Sequence, residues 1–282
     1  MKALSTAGAT LFAHAEGEEV ASLPLAGGHA AVASFRSPDK DTPNEDCALL
    51  VALTEDAAVI AVADGLGGLP AGEQASRVAL ETLAAALGQA RADGLETRTA
   101  ILDGIEAANR AVLALGTGAA TTLAVVEIEG RRIRPYHVGD SIILLAGQRG
   151  RMRWQTVPHS PVGFAVESGM LNQSDAMHHE DRHIVSNVIG SNQMRIEIGP
   201  PLALNPFDTL LVASDGLFDN LHLDEIVERM RKGPLQQAVE RLVRDARTRM
   251  TDGAAGAPSK PDDLTAVAYR LPGKRHGAER ST

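Results

Sequence analysis

The sequence contains a single cysteine, Cys47, few aromatic residues, and more aspartate and glutamate than lysine and arginine. A single cysteine excludes an intramolecular disulfide and a zinc site built from cysteine pairs, and it suits a reducing compartment. We interpret Cys47 as a small buried core residue. Aromatic residues make up only 3% of the chain and the net charge is −9. Both values argue against a nucleic-acid-binding protein, which needs a basic face and stacking side chains.

Long hydrophobic runs are also absent. No stretch approaches the roughly 18 consecutive apolar residues that a membrane helix needs. The segment ending at Ala13-His14-Ala15 has some features of a signal-peptidase site, which leaves secretion as an alternative, but it lacks a leucine-rich core. We therefore expect a cytoplasmic protein that has no membrane partner. A length of 282 residues with 44% hydrophobic content fits one compact domain.

The predicted strands outnumber the helices and come in meander-like groups. Residues 1–28 are predicted to form an N-terminal arm, either loose or an edge strand, followed by a domain over residues 29–271 and a disordered tail over 272–282. Such grouping indicates antiparallel sheets with helices packed outside, an α+β layered domain. Strands are predicted over residues 47–53, 59–63, 121–128, 131–138, 142–146, 152–157, 209–213 and 264–271, helices over 72–92, 98–115, 223–231 and 234–250, and a surface loop with short helical turns over 158–190.

Acidic residues recur at the ends of the predicted buried strands. Asp64-Gly65 and Asp215-Gly216 each follow an apolar run. A strand end holds a carboxylate rigidly, and the adjacent glycine lets the backbone turn sharply. One such pair is a common turn signal, but five places of this kind indicate a metal site. Oxygen ligands without cysteine or paired histidine favour Mg²⁺ or Mn²⁺ over zinc. The other acidic residues at these places are Glu45, Asp46, Asp140, Asp262 and Asp263.

Six short motifs follow one another between about residue 30 and residue 270. They are Asn44-Glu45-Asp46, Ala63-Asp64-Gly65-Leu66-Gly67-Gly68, Gly118-Ala119-Ala120-Thr121-Thr122, Val138-Gly139-Asp140-Ser141, Ala213-Ser214-Asp215-Gly216-Leu217 and Asp262-Asp263-Leu264-Thr265. This ordered series resembles the metal-dependent protein phosphatases of type 2C, as found in bacteria. The resemblance implies a four-layer sandwich, in which two antiparallel β-sheets are flanked by α-helices and the metals lie in a cleft at one end.

The resemblance also implies a set of metal ligands. Asp64 matches the residue that bridges two Mg²⁺ or Mn²⁺ ions, and the Gly65 carbonyl matches a ligand to one of them. By the same matching, Asp215 and Asp262 complete the other ion site. The expected cofactor is therefore a pair of Mg²⁺ or Mn²⁺ ions.

Three further residues match weaker or indirect ligands. Asp140 matches a residue that, with Asp215, holds a third and weaker ion in bacterial relatives. Glu45 and Asp46 match residues that act mostly through metal-bound water. We therefore include all three among the predicted metal-binding residues.

We predict Arg36, Asp46 and Asp64 as the catalytic residues. Relatives place a phosphate-binding arginine a few residues before the acidic pair, whereas Arg36 precedes Asp46 by ten positions and residues 37–43 resemble an insertion. The planar guanidinium of Arg36 suits a phosphate group, and Lys40 is the alternative cation.

Several positions depart from the family pattern. Leu66 stands where some eukaryotic relatives have a histidine proposed as the general acid, so no fixed side chain is evident for that step. Pro158 precedes His159-Ser160 where the family has aspartate, at the start of its mobile flap, and Ile142 replaces the usual arginine after Gly-Asp-Ser. Asp263 stands where asparagine is typical. The changes at Pro158 and Ile142 bear on substrate handling more than on metal binding.

The predicted function is the metal-dependent hydrolysis of phosphoserine and phosphothreonine in proteins, by a water molecule that two metal ions activate. The expected partners are a phosphorylated protein substrate and a cognate serine/threonine kinase system, and the chain is expected to be a monomer. Two alternatives remain open: a catalytically silent phosphatase-like module that binds a phosphoprotein, and a metal-dependent hydrolase of small phosphate esters. Metal-dependent turnover, and a comparison of phosphopeptides with metabolites, would separate the three.

Overall fold

A computed structural model describes residues 3–6, 8–13, 19–66, 71–253 and 257–273 of the chain. Within these residues the strands form two sheets, and several neighbouring strands are joined by short loops. The strands are β1 (Ala3–Thr6), β2 (Ala9–Phe12), β3 (Ala21–Leu25), β4 (Gly28–Phe35), β5 (Asp46–Ala52), β6 (Ala57–Asp64), β7 (Leu123–Glu129), β8 (Arg132–Val138), β9 (Ile142–Gly147), β10 (Arg151–Gln155), β11 (Glu197–Ile198), β12 (Leu202–Ala203), β13 (Thr209–Ala213) and β14 (Leu264–Arg270).

The two sheets are antiparallel throughout. The first has the order β1-β2-β5-β6-β7-β8-β11, and β12 also pairs with β8. The second has the order β10-β9-β13-β14-β4-β3. Strands β5 to β8 follow each other as a meander in the first sheet, whereas the second sheet brings together β4, β9, β13 and β14 from distant parts of the chain.

Helices cover the outer face of each sheet. The α-helices are α1 (Gly72–Asp93), α2 (Thr97–Ala114), α3 (Pro161–Glu167), α4 (Gln173–Ala176), α5 (Asp215–Phe218), α6 (Leu223–Met230) and α7 (Leu235–Thr251), and a 3₁₀ turn spans Glu180–His183. Among the described residues, no helix is both long enough and apolar enough to cross a membrane.

The core consists of three apolar layers, and strand β5 shows how one strand serves two of them. Leu49 and Val51 point to the layer beneath α1 and α2, while Leu50 between them points to the layer that joins the two sheets. This alternation follows from the two-residue period of a strand. A third layer packs α6 and α7 onto the second sheet. The predicted four-layer α+β sandwich is therefore confirmed.

The elements predicted from periodicity have the right type, with ends that differ by a few residues. Beyond the N-terminal segment, strand β4 and three short elements were not predicted. Strands β11 and β12 have two residues each, too few for alternation to be read, and they exist because they pair with β8. Helix α5 begins at Asp215, directly after the buried strand that the sequence predicted there.

The boundary of the predicted N-terminal arm at residue 28 does not coincide with a break in the structure. Strand β2 pairs with β5, and β3 pairs with β4, so the first 25 residues contribute edge strands to both sheets. The described residues of this segment therefore form strands, as the edge-strand alternative predicted, and not a loose arm. Residues 274–282 of the predicted tail lie outside the described residues, as do Gly67 and Gly68.

We predict that Leu83→Ala lowers the free energy of unfolding by about 2–5 kcal/mol. Leu83 is fully buried between α1 and the first sheet, so truncation leaves a cavity in the layer beneath the helices. Leu95→Ala is the matched control, because Leu95 is 55% exposed. Urea denaturation of the metal-free proteins measures both. Equal losses for the two variants would contradict the proposed layer.

Candidate active site

The predicted carboxylates meet at one end of the sandwich. Asp46 begins β5 and Asp64 ends β6, and the two residues face each other directly across the pair of strands. Asp215 begins α5 just beyond the end of β13, and Asp262 lies just before β14, the strand that pairs with β13. Asp140 lies in the turn between β8 and β9. Antiparallel pairing thus brings the five side chains, far apart in sequence, to one edge.

Two threonines hold the backbone of Asp64. Its amide donates to Thr122 Oγ1 (3.1 Å), and its carbonyl accepts from the Thr122 amide (2.8 Å) and from Thr121 Oγ1 (2.7 Å). The Thr122 hydroxyl also lies 2.7 Å from Ser141 Oγ, next to Asp140. The Thr121-Thr122 motif therefore links the turn that carries Asp140 to the strand that carries Asp64.

Asp46 is the most deeply buried carboxylate of the group. It is fully shielded from solvent, its Oδ2 accepts a hydrogen bond from Ser214 Oγ (2.7 Å), and its Oδ1 has no hydrogen-bond partner among the described residues. A buried oxygen without a donor is costly unless a cation or an ordered water satisfies it. The site therefore fits a hard divalent cation or the water bound to one. The sequence analysis did not identify Ser214 as a hydrogen-bond donor to Asp46.

Desolvation and mutual repulsion disfavour the charged forms of Asp46, Asp64, Asp140 and Asp262. Burial, and then the charge of Asp263, raise the pKa of the Asp46 carboxyl well above its ordinary value. Burial and the charge of Asp46 raise the pKa of Asp64 in the same direction. Burial, followed by the charge of Asp215, raises the pKa of Asp140 to about 8 and that of Asp262 to about 7. Divalent cations would remove the penalty, because they stabilise the deprotonated carboxylates.

Glycine is required at two of the turns because the backbone passes close by. A Cβ atom on Gly65 would lie 2.3 Å from the Gly72 carbonyl oxygen, and one on Gly216 would lie 2.0 Å from the Asp263 carbonyl oxygen. No larger residue fits at either place without moving the chain. The Asp-Gly pairs of the sequence thus let a second segment approach Asp64 and Asp215.

A lysine is part of the carboxylate cluster. Lys260 Nζ lies 2.8 Å from Asp215 Oδ2, 2.8 Å from Asp219 Oδ2 and 3.1 Å from Asp262 Oδ2. Asp219 is the C-cap residue of α5, four residues after Asp215, a spacing that brings two side chains to one side of a helical turn. The sequence analysis missed both Asp219 and Lys260. The Asp215–Asp219 spacing was the available signal, but α5 itself had not been predicted.

The departure at Asp263 has a structural explanation. Asp263 Oδ1 accepts from the Ser37 amide (2.8 Å), and Oδ2 accepts from the Glu45 amide (2.8 Å) and from Lys40 Nζ (2.8 Å). Lys40 also forms an ion pair with Glu45. An asparagine has one acceptor oxygen and could not receive this set of bonds. Asp263 therefore anchors both ends of the predicted insertion, residues 37–43.

The structure separates the two candidate phosphate-binding cations. Lys40 is held by Glu45 and Asp263. Arg36 follows β4 directly, is partly exposed, and is not a member of this ion-pair network. Arg36 is thus placed at the same end of the sandwich, since β4 runs beside β14 with Phe35 opposite Leu264.

Comparison with known proteins decides the family. The sequence model described as protein phosphatase 2C matches residues 37–260. The chain belongs to the protein phosphatase 2C family. The matched range begins after Arg36 and ends before Asp262. The position of these two residues relative to the site is therefore seen in the structure and not in the family match.

Relatives of this phosphatase are bacterial. Protein phosphatase PhpP of Streptococcus pneumoniae is 32% identical over 197 residues, which cover 67% of this chain and 79% of that protein. The PPM Ser-Thr phosphatase MsPP from Mycobacterium smegmatis, crystallised with cacodylate, has a TM-score of 0.71 at 29% identity and covers 86% of this chain and 97% of its own. The catalytic domain of the serine threonine protein phosphatase PstP, solved with 2 manganese ions, has a TM-score of 0.67 at 25% identity, with coverage of 86% and 98%.

These findings confirm the predicted family and the predicted activity. The phosphatase is a metal-dependent serine/threonine phosphatase of the type 2C class. They favour neither of the two alternatives that the sequence left open, the silent binding module and the small-ester hydrolase.

A second group in the phosphatase has the spacing of a metal site but not its chemistry. His137, His159 and Glu197 offer ligand atoms within 4.8 Å of one another. His159 Nδ1, however, accepts from the Gly139 amide (3.0 Å) and faces the Asn187 side-chain amide (3.0 Å). The neutral ring therefore carries its proton on Nε2, which lies 3.1 Å from Glu197. His159 therefore has no free lone pair on a ring nitrogen that could bind a metal ion. We interpret the three residues as part of a hydrogen-bonded network.

His159, at the start of the segment that carries α3 and α4, forms two hydrogen bonds with the turn that carries Asp140. The His159 amide donates to the Gly139 carbonyl (3.0 Å), while its ring accepts from the Gly139 amide. The His159 carbonyl accepts from Ser186. The ring stacks on His137 with centroids 4.3 Å apart, and burial lowers the pKa of His137 to about 4, so that the pair is not doubly charged near neutral pH.

A cavity of about 150 Å³ adjoins the cluster. It lies between the segment that carries α3 and α4 and the short helix α5, and Asp140 and Asp215 form part of its wall. Ile142 and Pro158, the two departures from the family pattern, both line it. The cavity therefore presents apolar surface next to the carboxylates.

We predict that Asp263→Asn destabilises the phosphatase by about 1–3 kcal/mol, because one buried amide loses its acceptor. Either Ser37 or Glu45 would be left unpaired. Asp39→Asn makes the same change at an exposed position of the same segment and is expected to have little effect. Hydrogen exchange of residues 37–45, together with urea denaturation, measures the difference. Unchanged protection in Asp263→Asn would contradict the anchoring role.

We also predict that the metal-free phosphatase becomes less stable as pH rises from about 4 to about 8. Asp140 and Asp262 have folded-state pKa values of about 8 and about 7, above the ordinary value of 3.8. Over this window the folded chain holds more protons than the unfolded chain, so the unfolding free energy falls with pH. Thermal unfolding in EDTA measures it, and excess Mn²⁺ should reverse the trend. A midpoint that rises with pH in EDTA would contradict the assignment.

Proposed function

We propose that this serine/threonine phosphatase holds two divalent cations, Mg²⁺ or Mn²⁺, at the carboxylate cluster. Asp64 and the Gly65 carbonyl would hold one ion, and Asp64, Asp215 and Asp262 the other. The convergence of five desolvated aspartates from separate segments at one end of the sandwich carries this proposal. Such a group is unfavourable without cations.

Residues next to these proposed ligands would support metal binding indirectly. Glu45 and Asp46 would act through water bound to the ions, with the unpartnered Oδ1 of Asp46 facing that water. Asp140, which matches a ligand of a weaker third ion in bacterial relatives, would border the two-ion site. Only oxygen ligands are involved, which favours Mg²⁺ and Mn²⁺. The PstP structure with 2 manganese ions supports this pair of ions.

The bound ions would supply Lewis-acid stabilisation of the phosphoryl oxygens and a lowered pKa for a water molecule. The chain itself would position the reactants. The guanidinium of Arg36 would bind two phosphate oxygens through its planar fork. Asp46, oriented by Ser214, would accept a hydrogen bond from the attacking water at Oδ1. Leu66 supplies no proton, so the leaving group would take its proton from solvent.

We infer that the substrates are phosphorylated proteins made by a cognate serine/threonine kinase. The cavity beside the cluster gives room for residues that flank the phosphorylated side chain, which a small ester lacks. The free, buried thiol of Cys47 fits a reducing compartment, and we propose a cytoplasmic location. All of the proposed ligands belong to one chain, so a monomer suffices.

We predict that Asp64→Ala and Asp215→Ala each lower kcat/KM by more than about 100-fold, since even outer-shell partners of metal ligands commonly contribute up to about that factor. Release of phosphate from p-nitrophenyl phosphate and from a phosphothreonine peptide, in Mn²⁺, Mg²⁺ or EDTA, measures the effect. Asp39→Ala is the control, because Asp39 is exposed and outside the cluster.

Three other outcomes would each contradict part of the proposal. A folded protein that binds Mn²⁺ but has no turnover would favour the silent binding module. Turnover of small esters without turnover of the phosphopeptide would favour the small-ester hydrolase. Activity in EDTA that survives Asp64→Ala would remove the metal site.

A further inference from the structure

Lys260 occupies a cation position within the carboxylate cluster. Its ammonium contacts three carboxylates, from Asp215 (2.8 Å), Asp219 (2.8 Å) and Asp262 (3.1 Å). Asp219 is not among the ligands that the family resemblance supplies. The lysine therefore binds two proposed metal ligands and one carboxylate that has no other assigned role.

The position of Lys260 is fixed by its backbone as well as by its charge. The side chain of Asn220, which is fully buried, accepts from the Lys260 amide (2.9 Å) and donates to the Lys260 carbonyl (2.8 Å). The same Asn220 amide donates to the Gly216 carbonyl (2.9 Å) in α5. The segment of α5 and its cap, which carries Asp215 and Asp219, thus holds the backbone of the lysine in place.

Asp140 lies on the same side of the cluster as Asp215 and Asp219, because all three line one cavity. Three carboxylates along one wall would suit a divalent ion. The Lys260 ammonium, however, already contacts those of Asp215 and Asp219.

We propose that Lys260 is a built-in cation whose ammonium, held by Asp215 and Asp219, takes the place of a third ion beside Asp140, so that this phosphatase binds two divalent ions and not a third. This inference rests on the proposed function, because it assumes that Asp215 and Asp262 are metal ligands. Each carboxylate has further lone pairs, so contact with the ammonium leaves room for coordination.

The ammonium differs from a third metal ion because it cannot exchange with solvent. Its charge would therefore be present at any metal concentration. The chain would therefore hold α5 in place without a weakly bound ion.

The test is the number of Mn²⁺ ions bound by the full-length protein, measured by equilibrium dialysis with elemental analysis. We expect two ions for the wild type and a third, weaker ion for Lys260→Met and for Lys260→Gln. Lys260→Arg keeps the charge and should bind two. Lys232→Met removes a lysine from an exposed site outside the cluster and should also bind two. Adding Asp219→Asn to Lys260→Met should abolish the third ion.

The outcomes separate this inference from the proposed function. Three ions in the wild type, or two in both Lys260→Met and Lys260→Gln, would overturn the role of Lys260 and leave the metal site intact. One ion in the wild type and two in Lys260→Met would mean that the ammonium displaces one of the two proposed ions, which also overturns it. No Mn²⁺ in the wild type, or binding unaffected by Asp64→Ala, would overturn the metal site itself.

Discussion

Repulsion among carboxylates at one end of the sandwich is the interaction on which the rest of the site depends. Asp46 and Asp64 face each other across two paired strands, and Asp140, Asp215 and Asp262 approach from separate turns. Isolated buried carboxylates would protonate. The fold nevertheless keeps them together, because the strands that carry them are fixed by three apolar layers. Because the three apolar layers fix the strands, the chain can hold these carboxylates close together, an arrangement that cations would stabilise.

The supporting hydrogen bonds come mainly from neutral hydroxyls and amides. Thr121 and Thr122 hold the backbone of Asp64, and Ser214 donates to Asp46. Donors of this kind orient a carboxylate without competing for its charge, whereas an arginine in the same position would neutralise it. Two ammonium groups are present at the rim of the cluster, those of Lys40 and Lys260, and both have carboxylate partners that extend beyond the predicted ligands.

Much of the fold and of the ligand set could be predicted from local patterns. The two-residue alternation in β5 and the Asp-Gly pairs after β6 and β13 are visible in the sequence, because each reflects a strand end. The contacts of Lys260 were not visible, since Asp215 lies 45 residues away and only the folding of α5 brings them together. Likewise, nothing local indicated that Asp263 accepts bonds from Ser37, 226 residues earlier. Pairings that depend on the packing of distant segments have no periodic signal.

The anchoring of residues 37–43 by Asp263 has a consequence for how this branch of the family diverged. The longer segment after Arg36 is fixed by the two acceptor oxygens of Asp263, the residue before β14. Without this segment, the second carboxylate oxygen would have fewer hydrogen bonds to accept. The insertion and the acidic residue are therefore expected to be inherited as a pair. Homologues with the short segment should retain the amide, and homologues with the long segment should carry the acid together with a basic residue at the position of Lys40.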